Sequence, residues 1–353
     1  MAVQQRPSEP TAADGHPRPL MEVRGLSKAF PVSLGFRKKG HVSAVDDVSL
    51  TVQPGTTMGV VGESGCGKST VARLILGLIK ADGGEVLFEG RTVRAGGKKA
   101  LPRRERKAVS RNMQMVFQDP YSSLNPRSSI GEIIGFPMKV HGINGAEIRD
   151  RTATLLMQVG LHRNHASYYP HQLSGGQRQR VNIARALALK PKLVVCDEAV
   201  SALDKSVQAQ VLNLLKDLQA EYGLTYLFIS HDLNVVEYMS DFVSVMYLGH
   251  VVESCPAEDL YRKPLHPYTH ALFSSIPQVA TEFEEESDTQ LKLLEGEIPS
   301  PLNPPSGCRF RTRCAAAMAI CAVERPRMRE PEPAHFVACH LFPENARLSV
   351  VGA

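Results

Sequence analysis

Residues 56–70, TTMGVVGESGCGKST, leave this chain few folds to choose from. The apolar run at 56–61 predicts a buried strand, and it enters a glycine-rich loop with no spacer. In the segment that follows, VARLILGLIK (71–80), Leu74, Ile75, Leu78 and Ile79 fall on one helical face. Strand, glycine loop and helix in that order form the frame of a phosphate loop. Residues 62–69 fit G-x-x-x-x-G-K-[ST] without a gap. Gly62, Gly65 and Gly67 free the backbone so that N–H groups, those of Glu63, Ser64 and Cys66 included, can close around phosphate oxygens. Lys68 sets a cation on those oxygens, and the hydroxyl of Ser69, followed by Thr70, can ligate Mg²⁺. The predicted ligand is a nucleoside triphosphate. The string also occurs by chance, but here both flanking elements are in place.

Two later strands supply matching chemistry. The runs LVVCDE (193–198) and LTYLFISHD (224–232) are short, apolar and β-rich, suited to a sheet covered on both faces. Asp197 and Glu198 end the first, where one carboxylate can hold Mg²⁺ and the other can polarise an attacking water. His231 ends the second. A lone strand-end histidine is usually structural, but its place after the acidic pair points to a γ-phosphate contact. Between these strands Val207, Val211, Leu214, Leu215 and Leu218 mark a helix that stops at Gly223. FVSVMYLGHVVES (242–254) predicts two strands about a turn at Leu248–Gly249. Strands alternating with helices give an α/β core.

A second anion site is also written into the chain. LSGGQRQR (173–180) places Ser174, Gly175, Gly176 and Gln177 at the start of a helix marked by Val181, Ala184 and Leu187. Free N–H groups and the positive end of a helix dipole attract phosphate.

Taken in order, these motifs resemble those of the nucleotide-binding subunits of ABC transporters. GESGCGKST is similar to Walker A, Gln118 in VFQDP to the Q-loop, and LSGGQ to the signature. LVVCDE is similar to Walker B, SALD (201–204), with Asp204, to the D-loop, and His231 to the H-loop. Phe30 lies where the family places an aromatic under adenine, with core packing as the rival role for that ring. The resemblance covers about residues 21–262. It implies a P-loop ATPase with a mixed sheet and a helical signature subdomain. It further implies Mg²⁺ held through Ser69, Gln118 and Asp197, and Glu198 and His231 as catalytic residues. Two such cassettes pair head to tail, so Ser174–Gln177 would face an ATP bound by the partner, which explains two phosphate sites in one chain. One departure stands out: Ala199 follows Glu198 where the family commonly has Pro, which would fix φ there, so Glu198 is expected to be modestly looser.

Composition bounds the rest. At 353 residues the chain can bury a large core and holds two domains, one of them large. A hydrophobic content of 43% with 22% charged residues is that of an ordinary soluble protein. No run of about 18 uncharged apolar residues is present to span a membrane. Residues 1–20, rich in Pro and polar residues, read as a disordered tail, and they lack the apolar region of a signal peptide. The net charge of +5 comes from local clusters: FRKKG at 36–40, then Lys98, Lys99, Arg103, Arg104, Arg106, Lys107 and Arg111. Without interleaved aromatics these read as solvated faces rather than a nucleic-acid site, and proximity to anionic lipid is a third reading the sequence leaves open.

Character changes after residue 262. HPYTHALFSSIP predicts one short helix, an acidic stretch follows with Glu282, Glu284, Glu285, Glu286 and Asp288, and IPSPLNPPSG is too rich in proline for regular structure. Residues 263–345 read as a separate, loop-rich unit with 346–353 as a tail. Cys308, Cys314, Cys321 and Cys339 cluster there, while Cys66, Cys196 and Cys255 are scattered. Four clustered thiols in a reducing compartment point to metal before disulfide. Their spacings, C-x5-C, C-x6-C and C-x17-C, contain no C-x2-C pair, and four thiolates suit iron–sulfur or zinc alike; His335 and His340 are rival ligands.

HPYTHAL (266–272) and IPSPLNPPSGCRFRTRC (298–314) resemble the C-terminal extension of dipeptide and oligopeptide importer ATPases, a group with nickel- and glutathione-handling relatives. That resemblance implies a [4Fe–4S] cluster on the four cysteines. It also implies a peripheral site at the cytoplasmic membrane face, a second and different ATPase, two permease subunits and an extracytoplasmic peptide-binding protein. The insertion PVSLGFRKKGHVSAVDDVSL is more similar to the second ATPase of such a pair.

Overall fold

The structure is a computed structural model that describes residues 18–33, 39–97, 101–274 and 297–342. The expectations for the N-terminal tail before residue 18, the acidic stretch at 282–288, Lys98, Lys99 and the C-terminal tail lie outside the described residues.

The chain opens with a long antiparallel hairpin, β1 (Met21–Ser33) and β2 (Lys39–Val52), and then drops into β3 (Thr57–Val61), whose five residues are all buried. Helix α1 (Lys68–Leu76) follows the phosphate loop. The periodicity of 71–80 predicts a longer helix, with Leu78 on its buried face. Instead Gly77 turns left-handed at φ 71°, the N–H of Leu78 bonds Arg73 O at 2.9 Å, and Leu78 is 59% exposed. A glycine at that position closes the helix by satisfying its last carbonyls, and this outweighs the apolar period.

Strands β4 (Gly83–Phe88) and β5 (Arg91–Ala95) complete a four-stranded antiparallel sheet in the order β2-β1-β4-β5. Helix α2 (Arg103–Asn112) buries none of its residues, so its arginines and lysine are solvated. After β6 (Met113–Val116) come α3 (Ile130–Val140) and α4 (Gly145–Gln158), capped by Ser129 and Asn144. With α5 (Gly175–Leu187) they pack into the predicted helical subdomain.

The chain returns to the sheet through β7 (Leu193–Asp197), α6 (Lys205–Tyr222), β8 (Thr225–Ile229), α7 (Leu233–Met239), β9 (Phe242–Tyr247) and β10 (His250–Pro256). Helix α6 stops at Gly223, φ 62°, and the β9–β10 turn has positive φ at Leu248 and Gly249, both as predicted. Helices α8 (Ala257–Arg262), α9 (Pro267–Ser274) and the single turn α10 (Ile320–Val323) lead to β11 (Arg329–Glu332) and β12 (His335–Val337).

The main sheet runs β11-β12-β10-β9-β3-β8-β7-β6, parallel from β9 to β6 and antiparallel beyond. Alternation splits each central strand between two cores. Val194, Cys196, Tyr226 and Phe228 face the side packed by the helical subdomain, α6 and α7. Leu193, Val195, Leu227 and Ile229 face α1 and the antiparallel sheet. Parallel strands buried on both faces explain why their sequences are continuous apolar runs.

The C-terminal segment joins the main sheet. β12 pairs with β10 through Glu253↔Val337 and Ser254↔Phe336, so the tail extends the catalytic sheet. The buried Glu253 carboxylate accepts from His335 Nε2 at 2.7 Å, Leu265 N at 2.6 Å and His266 N at 3.0 Å, and this holds the added strand. Burial by itself would raise its pKa, but those bonds, that from His335 above all, leave it lowered. Among the described residues, no helix is long and apolar enough to cross a membrane.

Candidate functional site

Phosphate chemistry collects where the parallel strands end. β8 lies between β3 and β7, so the loop after β3, Asp197 at the end of β7 and His231 beyond β8 share one edge of the sheet. Ligands of open α/β sheets bind in that crevice.

Two of the loop's glycines, Gly62 and Gly67, have no room for a side chain, whereas Gly65 needs glycine only for its left-handed backbone, φ 79°. A Cβ on Gly62, φ 146°, would stand 2.1 Å from Met246 O. Lys68 is buried, and its ammonium donates to Gly62 O at 2.6 Å and Glu63 O at 3.0 Å. Ser69 Oγ donates to Asp197 Oδ1 at 2.7 Å, so two of the predicted Mg²⁺ ligands meet. Burial raises the pKa of Asp197 against the opposing pull of Ser69, Arg73 and Lys68. Cys66 is buried inside the loop, and desolvation raises its thiol pKa.

Glu198 lies between two other predicted residues. Gln118 Nε2 donates to its Oε2 at 2.8 Å, and His231 Nδ1 lies 3.4 Å from its Oε1. The Glu198 backbone is left-handed, φ 48°, an uncommon state for a residue with a side chain. Its N–H bonds Ile229 O at 2.9 Å, and its carbonyl accepts from Ser201 N at 3.1 Å and Ser201 Oγ at 2.9 Å. These bonds fix the turn with Ala199, itself buried, in the place of a proline. A cation, a polarising carboxylate and a histidine converge here, which is the set needed for water attack on a γ-phosphate.

The signature lies apart from this centre. Ser174 caps α5, accepting from Gln177 N at 3.3 Å while Gln177 Oε1 accepts from Ser174 N at 3.0 Å. Gly176 lies so close to α6 that a Cβ would meet Val207 Cγ1 at 2.5 Å, whereas Gly175 has only ordinary contacts. Among the described residues, no hydrogen bond or ion pair joins Ser174–Gln177 to Gly62–Thr70. Asp204 caps α6, and the Val207 N–H holds its carboxyl below the ordinary range. Phe30 is partly exposed on β1 with the Lys28 ammonium 5.5 Å from its ring, so the core does not absorb it.

The four clustered cysteines come together. The N–H of Cys308 bonds Cys321 O at 2.8 Å, and Cys308 and Cys314 both pack against the buried core. Cys321 is buried, and Cys308, Cys314 and Cys339 are half-buried. Burial pushes the Cys339 thiol up to about 11. Both rival histidines are engaged elsewhere, His335 with Glu253 and His340 Nε2 with Glu324 O at 2.9 Å. Glu253, Cys255 and His335 lie close enough together for a cation, but that carboxylate already has its protein donors.

Sequence reasoning missed the polar contacts that tie this tail to the phosphate loop. Arg313 grips Glu63, Arg309 bonds Asp46 and Leu248 O, and Tyr268 OH accepts from Glu63 N at 3.0 Å. The only signal in the chain is the basic string CRFRTRC, which composition alone assigns to solvent.

The comparisons agree with this geometry. A family model described as ABC transporter matches residues 45–201, and one described as the C-terminal region of oligopeptide/dipeptide transporters matches 252–321. The chain is 50% identical to the oligopeptide transport ATP-binding protein AppF of Bacillus subtilis, over 92% of this chain and 97% of that one. It is 49% identical to OppF of Escherichia coli over 91% and 95%. A solved dimeric ATP-binding cassette, in a post-hydrolysis state with ADP and phosphate, superposes with a TM-score of 0.59 at 29% identity, over 67% of this chain and 98% of that one. This chain is an ABC-type transporter ATPase and belongs to the family of dipeptide and oligopeptide transporter ATP-binding subunits.

Proposed function

We propose that this subunit couples ATP hydrolysis to the import of di- and oligopeptides at the cytoplasmic face of a membrane. Its partners in this reading are a second ABC ATPase, two permease subunits and an extracytoplasmic peptide-binding protein. The matched relatives are oligopeptide transport proteins by name, and the C-terminal match is to the same class of transporter.

The observation that carries the coupling is the position of Gln118. On one side it bonds Glu198. On the other, Phe117 and Tyr121 are exposed, and Arg185 reaches both the Phe117 ring and Ser123 O. Arg185 also lines a groove of about 700 Å³ with Ser123, Gly131 and Phe136, the last 64% exposed. A permease segment seated in that groove would move Gln118, and with it the carboxylate that polarises water.

The residues divide the work. Lys68 leaves its loop carbonyls for phosphate oxygens, Glu198 polarises the attacking water, and His231 contacts the γ-phosphate. Mg²⁺ would be held by Ser69, Asp197 and Gln118 and would neutralise phosphate charge. Ser174, Gly175 and Gly176 would meet the γ-phosphate of an ATP bound to the partner, with Asp204 at the same junction. Residues 21–262 form the catalytic domain and 263–345 the extension. Cys308, Cys314, Cys321 and Cys339 would hold a [4Fe–4S] cluster, with zinc the alternative. Four half-buried or buried thiols in one segment support that reading, and the group when bound would staple a loop-rich segment with little core of its own.

ATPase assays on the chain alone, and on the complex reconstituted in vesicles with peptide-loaded binding protein, test this reading. The chain alone should be slow and sensitive to dilution, and the complex should accelerate with peptide uptake. Full, concentration-independent activity from a monomer refutes the shared site, and no uptake of any peptide refutes the substrate class.

A further inference from the structure

The second residue of the phosphate loop is held by groups from outside that loop as well as by Lys68 and by the Cys66 N–H, which donates to its carbonyl at 3.3 Å. Arg313 Nη1 and Nη2 donate to the Glu63 carboxylate at 2.9 and 3.1 Å, a two-point grip. Arg313 is 4% exposed in its side chain, so water does not compete for those bonds. Its Nη1 also reaches Tyr247 OH at 3.5 Å. Tyr268 OH accepts from Glu63 N, and the Glu63 carbonyl accepts from Lys68. Phe310 is buried between Tyr247 and Tyr268, ring centroids 5.3 and 5.4 Å away, and wedges the segment Cys308–Cys314 into the core beside the loop.

We infer that Arg313 is a positioning residue for ATP binding, and that the C-terminal extension acts through it as a brace on the phosphate loop. The inference rests on nucleotide binding at Gly62–Thr70. The reason is the lysine. Lys68 bonds the carbonyls of Gly62 and Glu63. A bound phosphate would compete for that ammonium, and Arg313 and Tyr268, together with the backbone bonds of Cys66, would then keep the loop's N–H groups converged. Rigid donors fixed before the ligand arrives lower the ordering cost of binding. Coupling of this kind is reciprocal, so nucleotide must in turn order the segment that carries Arg313.

The test uses the full-length chain with ATP as ligand. Arg313→Gln should weaken ATP binding about tenfold, within the range of coupling between residues in direct contact, while kcat at saturating ATP stays within about twofold. Glu63→Gln should lose the same factor, and the double variant no more than either single one. Arg313→Lys, a point charge without the fork, should recover only part. In the wild type, ATP should slow amide hydrogen exchange at Phe310–Cys314, and Arg313→Gln should abolish that slowing. Should Arg313→Gln fold poorly, Glu63→Gln asks the same question from the loop side. ATP affinity unchanged in both single variants, losses that multiply in the double variant, or exchange at Phe310–Cys314 indifferent to ATP each overturn the inference. Failure of the wild type to bind ATP would instead refute the site itself.

Discussion

Ser69 Oγ donates to Asp197 Oδ1 at 2.7 Å across 128 positions of sequence. The hydroxyl begins a helix and the carboxylate ends a strand, so the pair closes the gap between the phosphate loop and the acidic edge of the sheet. Mg²⁺ would be held at this pair by the Ser69 hydroxyl oxygen and by the Asp197 carboxylate, directly or through water. Asp197→Asn removes the charge and keeps the shape, and half-maximal ATPase activity should then need at least about tenfold more Mg²⁺. A Mg²⁺ titration of the complex containing the variant checks this, and an unshifted midpoint would remove Asp197 from the metal site.

Glu198 is the next residue, held between Gln118 and His231. Glu198→Gln retains hydrogen-bonding shape but loses basicity. ATP should still bind, turnover should fall by about a hundredfold or more, and the ATP-bound pair should stay closed. Hydrolysis and nucleotide retention should be measured with the partner's site disabled as well. Near-normal hydrolysis would exclude the general-base role.

Iron, acid-labile sulfide and zinc, assayed after purification without oxygen, decide the occupant of Cys308, Cys314, Cys321 and Cys339. The cluster predicts about four irons per chain and a broad brown absorbance. One zinc with no sulfide would mean the alternative metal. Cys314→Ser should lower the metal content in either case.

Acid should loosen the tail. Burial, then Arg309 and Arg325, push His250 down to about 3, and burial pushes His266 down to about 4. Unfolded histidines take protons near about 6.5. Between about 6.5 and 4 the unfolded chain therefore binds more protons than the folded one. This contribution is fully present above that range and is lost as pH falls. At pH 5 each histidine costs up to about 2 kcal/mol relative to pH 7.5. Glu253, with its lowered pKa, adds a loss at still lower pH as it protonates. Urea midpoints at pH 5 and 7.5 should differ in the wild type and differ less in His266→Asn. Equal differences would dissociate His266 from the effect.

Much of the catalytic centre was legible in the chain because its parts are local. A phosphate loop is a strand end, a turn and a helix start, and those backbone states are set by neighbours in sequence, as at Gly62 and Ser69. Strands β3, β7 and β8 announced themselves as apolar runs because both faces are buried. Leu78 was misplaced because an apolar period extends past the glycine that stops the helix.

Local sequence carries the nucleotide chemistry, the α/β core and the turn residues that place Ser69, Asp197, Glu198 and His231 at strand or helix ends. Only the tertiary structure decided that the tail joins the catalytic sheet and that Arg313 holds Glu63. An arginine in a basic string carries no mark of its partner 250 positions away. Its role arises when Phe310 is buried and the water around the guanidinium is excluded, and chain folding alone brings that about.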